Sequence, residues 1–161
     1  MRKYASLNLT LNLGLRERGF TLVEGMIALV VVSIGLLAVS GMQGIALSRN
    51  VDANQLSQAT NLAAEMVERV RYNRVNAAAY NGIDTANAAT RPPTTQAQAR
   101  GDYDQWTTRL GQTTLTSIRG QVTVTSLTPT ALNQRQVTVR VNWIGGLLNR
   151  AVVMSTIVVP E

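Results

Sequence analysis

The chain has 161 residues, about one domain in length, and 15 Lys+Arg against 9 Asp+Glu give it a formal net charge of +6. Charged residues make up only 15% of it, well below the roughly 25% of an average soluble domain. It contains no Cys and no His, which excludes disulfides, thiolate nucleophiles, imidazole bases and the commonest zinc ligands together. We therefore expect no enzyme, no cofactor and no metal centre.

The first 19 residues hold Arg2, Lys3, Arg16 and Arg18 against Glu17, a net +3, and the whole remainder carries only another +3. A body so mildly basic does not support a nucleic-acid surface by composition. No residue between positions 25 and 48 is charged. The expected transmembrane stretch begins at Gly25 and ends at Met42, with Ser33 and Ser40 as its only polar side chains. Eighteen helical residues reach about 27 Å, close to the hydrocarbon thickness of a bilayer. Nine of the eighteen are Leu, Ile or Val, giving about −3 to −5 kcal/mol for insertion, enough for a marginal span. The basic residues before it place the N-terminus in the cytoplasm by the positive-inside rule.

Glu24 interrupts the start of this stretch, where a carboxylate costs up to about 3 kcal/mol if it reaches the middle of a membrane. Thr21-Leu22-Val23-Glu24 fits the T-x-x-E capping box, with Glu24 also favoured by the helix dipole. The same residues, ending in Ala38-Val39-Ser40, fit an ordinary secretory signal with a small-residue cleavage site. On these residues alone, cleaved signal and retained anchor both stand.

The string Arg16-Glu17-Arg18-Gly19-Phe20-Thr21-Leu22-Val23-Glu24 resembles the prepilin (class III) signal of type IV pilins. That resemblance implies cleavage between Gly19 and Phe20 by a prepilin peptidase, N-methylation of the new Phe20 amine, and an assembly role for Glu24. In a membrane or a filament core an unpaired charge is expensive and a paired one tolerable. The family implies that Glu24 meets the amine of the next subunit and so sets axial register. Gly25 departs from the pattern, which usually has a bulkier apolar residue there, and costs about 1 kcal/mol of helix propensity relative to Ala.

Beyond Arg49 the apolar pattern becomes one-sided. Ala59, Leu62, Ala63, Met66, Val67 and Val70 recur at three- and four-residue spacing and predict a buried stripe. Glu65 with Arg69, and Glu68 with Arg71 or Tyr72, are spaced to stabilise exposed faces. No proline precedes Pro92, so one helix can run from about Thr21 to Arg74, roughly 80 Å at 1.5 Å per residue. Its stretch Leu62-Ala63-x-x-Met66-x-x-Arg69-Val70-Arg71-x-Asn73-Arg74 is similar to the minor pilins of the PilV (pilus modification protein) family. Arg71 and Arg74 are candidates for a partner contact there.

Residues 75–101, rich in Ala, Asn, Thr and Gln, read as a long loop. Asp102 and Asp104 are too few carboxylates for calcium, and one of them is expected to start a short helix carrying Trp106 and Leu110 into the core. The period then switches to two. Residues 121–127 alternate, residues 136–143 put Val137, Val139, Val141 and Trp143 on one face, Gly145-Gly146 makes a turn, and residues 151–159 read as a further strand. Scattered arginines on these strands (Arg119, Arg135, Arg140, Arg150) read as solvent-facing rather than as a DNA surface.

The fold expected is therefore α+β, the type IV pilin fold: a long N-terminal helix, membrane-spanning in its first half and amphipathic in its second, packed on an antiparallel sheet of three to four strands. The expected segments are a leader (1–19), a membrane or filament-core helix (20–48), an amphipathic helix (49–74), a loop with a short helix (75–118) and the sheet (119–161). The resemblance implies a minor pilin, held in the inner membrane of a Gram-negative bacterium with its C-terminal domain in the periplasm. It would help prime the type IV pilus and sit at or near its tip, supporting twitching motility and adhesion. Its partners would be prepilin peptidase/methyltransferase, other minor pilins, the major pilin and the inner-membrane assembly platform. The alternatives are a minor pseudopilin of a type II secretion system, a tip adhesin or DNA-uptake pilin, and a secreted protein behind an ordinary signal peptide.

Overall fold

A computed structural model of the chain describes residues 19–128 and 132–160. The basic leader up to Arg18 lies outside the described residues. The first element, α1 (Leu22–Tyr72), is a continuous helix of 51 residues. Two compact units divide the chain, one ending at Ile45 and the other starting at Ala46.

In the first unit α1 is apolar on every side and all of its large side chains are exposed. Its two serines turn inward on the helix: Ser33 Oγ donates to the Leu29 carbonyl at 2.7 Å and Ser40 Oγ to that of Leu36 at 2.9 Å. Both hydroxyls are thus satisfied within the helix, as a lipid environment requires.

In the second unit the amphipathic part of α1 buries Ala59, Leu62, Ala63, Met66, Val67 and Val70, the six positions of the expected stripe. The helix stops at Tyr72 and gives way to a 3₁₀ helix, Arg74–Tyr80. β1 (Ile83–Asp84), α2 (Ala97–Gly111), β2 (Thr116–Ser126), β3 (Arg135–Gly145) and β4 (Leu148–Val158) follow. The sheet is antiparallel with its strands in chain order, β1-β2-β3-β4. β3 alternates as its sequence predicts, with Val137, Val139, Val141 and Trp143 buried on the face toward the core. Each such side chain, fully buried, stabilises by about 1.5–3 kcal/mol.

Trp106, from α2, locks the layers together. It is fully buried, and its indole Nε1–H donates to the Leu62 carbonyl of α1 at 3.0 Å. The far edge of its ring rests on Gly120 of β2, where a Cβ would come within 2.3 Å of Cη2. Trp143 makes a second bridge, donating from Nε1 to Gln55 Oε1 at 3.2 Å.

Two expectations need correction. Residues 75–101 are not a plain loop: they contain the 3₁₀ helix, β1 paired to β2 through Ile83 and Val122, and two shorter 3₁₀ turns before α2. Short-range side-chain bonds, such as Asp84 N–H to Thr90 Oγ1 at 2.9 Å, organise this polar composition. Nor does Asp102 or Asp104 start the helix, since α2 begins at Ala97, after Pro92-Pro93 and a 3₁₀ turn. Trp106 and Leu110 do enter the core.

Gly120→Ala should lower stability by about 1–3 kcal/mol, because the new methyl must displace a packed indole. Gly101→Ala, mid-helix with nothing within 4 Å of its Cβ position, should instead raise it by up to about 1 kcal/mol. Thermal melting of the full chain in detergent measures both, and equal shifts would contradict the packing described.

Candidate functional site

Two regions carry the residues singled out in the sequence, one in each compact unit. In the first, Gly19 and Phe20 precede the helix and are exposed. Thr21 caps α1: its Oγ1 accepts from the Glu24 N–H at 3.2 Å, and its carbonyl accepts from the Gly25 N–H at 3.1 Å. One half of the T-x-x-E box is therefore formed. Glu24 sits exposed in the first helical turn, where the helix dipole favours a negative charge. Its carboxylate has no ion-pair partner among the described residues. Gly25 lies under the Phe20 ring, with its Cβ position 3.5 Å from Cε1. The ring thus folds back over the one residue that departs from the usual pattern. Met42, at the far end of the expected span, is exposed like its neighbours.

In the second unit the sequence reading placed partner contacts at Arg71 and Arg74 and overlooked Arg69. Arg71 pairs with Glu68 at 2.8 Å on the open face of α1. Arg74, also exposed, lines the same shallow groove, together with Tyr72 and Ile157. Arg69 does something different. Its Nη1 donates to Asp102 Oδ1 at 2.8 Å and to Gln105 Oε1 at 2.9 Å, while Nη2 and Nε reach Glu65 Oε1 at 2.8 and 3.1 Å. Asp102 is buried, and its other oxygen accepts from the Tyr80 hydroxyl at 2.5 Å. Asn73 in turn donates to that hydroxyl at 3.1 Å. One guanidinium thus joins α1, the 3₁₀ helix and α2.

The clue in the sequence was position. Arg69 stands three residues beyond buried Met66 and seven beyond Leu62, on the border of the stripe rather than opposite it. The Glu65–Arg69 pair expected on an exposed face is accordingly half covered by α2 and reinforced by Arg109 to Glu65 Oε2 at 3.1 Å.

The carboxylates weighed as calcium ligands go to separate arginines: Asp102 to Arg69 and Asp104 to Arg91. Among the described residues no group of three His, Cys, Asp or Glu could hold a metal ion. Two of the four strand arginines form ion pairs as well, Arg119 with Asp84 and Arg150 with Asp52. The Arg119 guanidinium, hydrogen-bonded to Asp84, holds that carboxyl below its usual value.

The architecture, a long N-terminal helix packed on a four-stranded antiparallel sheet, is α+β and consistent with the pilin fold. The family model for the prokaryotic N-terminal methylation motif matches residues 14–40, spanning Gly19, Phe20, Glu24 and most of the apolar stretch. That match supports a type IV pilin-like protein, pilin or pseudopilin, processed by a prepilin peptidase, anchored in a membrane and assembled with other pilins. It suggests a structural rather than an enzymatic role. No curated protein and no solved structure matches the chain.

Arg69→Met, which leaves Asp102 buried without its cation, should cost about 3 kcal/mol or more. Arg71→Ala should stay within about 0.5 kcal/mol. Denaturant titration of the full chain in detergent distinguishes the two.

Tyr80 supplies a pH signature. Burial first, and then its hydrogen bond to the Asp102 carboxylate, push the phenol above its ordinary value. The native state therefore favours the protonated phenol. Its contribution is complete below about pH 10 and is lost as pH rises through the raised native value. Melting temperature measured from about pH 8 to about pH 11 should fall more steeply for the wild type than for Tyr80→Phe.

Proposed function

We propose that this chain is a minor pilin that helps prime a type IV pilus and is incorporated at or near its tip, supporting twitching motility and adhesion. The observation that carries this reading is the methylation motif running straight into an apolar helix with no covering of its own, continuous with an amphipathic half that packs beneath a sheet. The leader of residues 1–19 would be removed between Gly19 and Phe20, and the Phe20 amine methylated. Residues 20–48 would form the membrane or filament-core helix and 49–74 its amphipathic continuation. Residues 75–118 and 119–161 would form the connecting region and sheet of a domain facing the periplasm of a Gram-negative bacterium. Other minor pilins, the major pilin and the inner-membrane assembly platform would be its partners.

The mechanism is assembly rather than catalysis. Cleavage creates a cationic amine at Phe20, about one helical turn from Glu24. An exposed carboxylate at the start of an apolar helix is costly in lipid and tolerable once paired. Pairing with the amine of a neighbouring subunit would therefore stabilise one axial register over others. The pattern through Arg71, Asn73 and Arg74 favours the pilus over a type II secretion pseudopilus, which shares the leader and the stalk. Arg71 and Arg74, on the groove face of α1 and the 3₁₀ helix that follows, are where a neighbouring minor pilin would bind.

Mass spectrometry of the N-terminal peptide from membrane-purified protein should find a start at methylated Phe20. A start at Gly41 would mean an ordinary secreted protein and overturn the proposal. Glu24→Ala should leave processing largely intact and deplete the chain from sheared pili, and normal incorporation would remove the register role.

A further inference from the structure

The chain contains a single Asn-Gly pair, Asn81-Gly82, at the join between the 3₁₀ helix and β1. Asparagine followed by glycine is chemically labile, because glycine has no side chain to shield its backbone nitrogen from the neighbouring carboxamide. The fold nevertheless uses both residues. Gly82 sits at φ +80°, a left-handed conformation that favours glycine. The Asn81 side chain reaches across to β2, where its Oδ1 accepts from the Val124 N–H at 2.9 Å.

The same contacts hold the pair in an unreactive shape. Deamidation closes a five-membered ring between the Gly82 nitrogen and Asn81 Cγ, which requires that nitrogen to eclipse Asn81 Cβ. At ψ 131° for Asn81 the nitrogen points away from Cβ, and its N–H donates to the Val122 carbonyl at 3.0 Å. Rotating ψ would break that bond and pull on both flanks, where Tyr80 and Ile83 are buried in the core. Beyond Ile83, the Thr85 N–H donates to the Gly120 carbonyl at 2.9 Å, and the Gly120 N–H returns a bond to Thr85 Oγ1 at 2.9 Å. Ring closure therefore waits for β1 to leave the sheet. A strand of two residues opens more readily than its eleven-residue neighbour β2. Asn81 and Gly82 are exposed, so water reaches the ring once it forms.

We propose that Asn81 is a site of spontaneous deamidation that docked β1 keeps closed, and that isoaspartate formed there prevents β1 from docking again. In the open strand the Gly82 nitrogen bonds to Asn81 Cγ, the Cγ–Nδ2 bond breaks, and the proton of that nitrogen leaves with Nδ2 as ammonia. Water then opens the succinimide. Attack at Cγ gives aspartate, which keeps an oxygen for the Val124 N–H. Attack at the main-chain carbonyl gives isoaspartate, in which the chain runs through Cβ and Cγ. The extra main-chain carbon cannot be accommodated while Tyr80 stays buried and Ile83 stays opposite Val122. An opening that is otherwise reversible thus becomes permanent.

The full-length protein, folded in detergent or unfolded in denaturant, would be incubated at mildly alkaline pH. Tandem mass spectrometry of tryptic peptide 75–100 locates deamidation, and enzymatic carboxyl methylation scores isoaspartate. Asn76 and Asn87 lie in the same peptide, each followed by alanine, and serve as internal controls. In denaturant Asn81 should react faster than either. In the folded chain its rate should drop by about tenfold or more. Ile83→Ala, which weakens the hold on β1, should raise the folded-state rate, and the wild-type comparison stands without it. Hydrogen exchange should find the amides of Gly82 and Thr85 unprotected in isoaspartyl chains and protected in Asn81→Asp. Equal folded and denatured rates overturn the closure by β1. An Asn81 no faster than Asn76 and Asn87 in denaturant overturns the site. Protected amides in isoaspartyl chains overturn the release of the strand.

Discussion

An α-helix satisfies its backbone hydrogen bonds internally, and that single property lets one element serve two environments. In α1 the backbone pattern continues from Leu22 to Tyr72 while the side chains change their solvent. Up to Ile45 they are apolar all round and exposed, and further on the apolar residues contract to a stripe one sheet can cover. A strand could not do this, because its edges would need partners in lipid. The serines follow the same rule by bonding back to Leu29 and Leu36.

The domain half depends on small residues as much as on large ones. Ala59 and Ala63 are fully buried on α1, and Gly120 leaves room on β2 for the indole of Trp106. The indole needs a polar partner for its N–H and finds one in the Leu62 carbonyl. Arg69 has a comparable task in the polar layer. A buried carboxylate at Asp102 is stable only with its lone pairs occupied, and Arg69, Tyr80 and Gln98 occupy them.

Much of this was legible because periodicity reports burial directly. The six-residue stripe of α1 and the alternation of Val137, Val139, Val141 and Trp143 each mark a face turned to the core. The T-x-x-E motif was legible as a cap because that bond is local. Contacts between distant residues were not. Arg69 reaches Asp102 across 33 positions, and spacing along α1 alone favoured its nearer partner, Glu65. Residues 75–101 looked unstructured because their order comes from turns, a two-residue strand and side-chain bonds, none of which carries a period. The methylation motif that spans Gly19, Phe20 and Glu24 is local in sequence and so was legible, whereas surfaces that would choose partners carry no period.

The three clasps between α1 and the rest of the domain also have an order. Leu62 is held by Trp106, Gln55 by Trp143 and Asp52 by Arg150, at sequence separations of 44, 88 and 98. A position lower on the helix is always met by a residue later in the chain. Closing the longest of these loops from an open chain would cost only about 0.6 kcal/mol more than closing the shortest. Once Trp106 is seated, each later clasp closes a loop already shortened by the one before it. The β2–β3–β4 meander, whose neighbours in space are neighbours in sequence, adds no crossing connection. The chain can therefore close onto its helix progressively, in the order in which a ribosome delivers it.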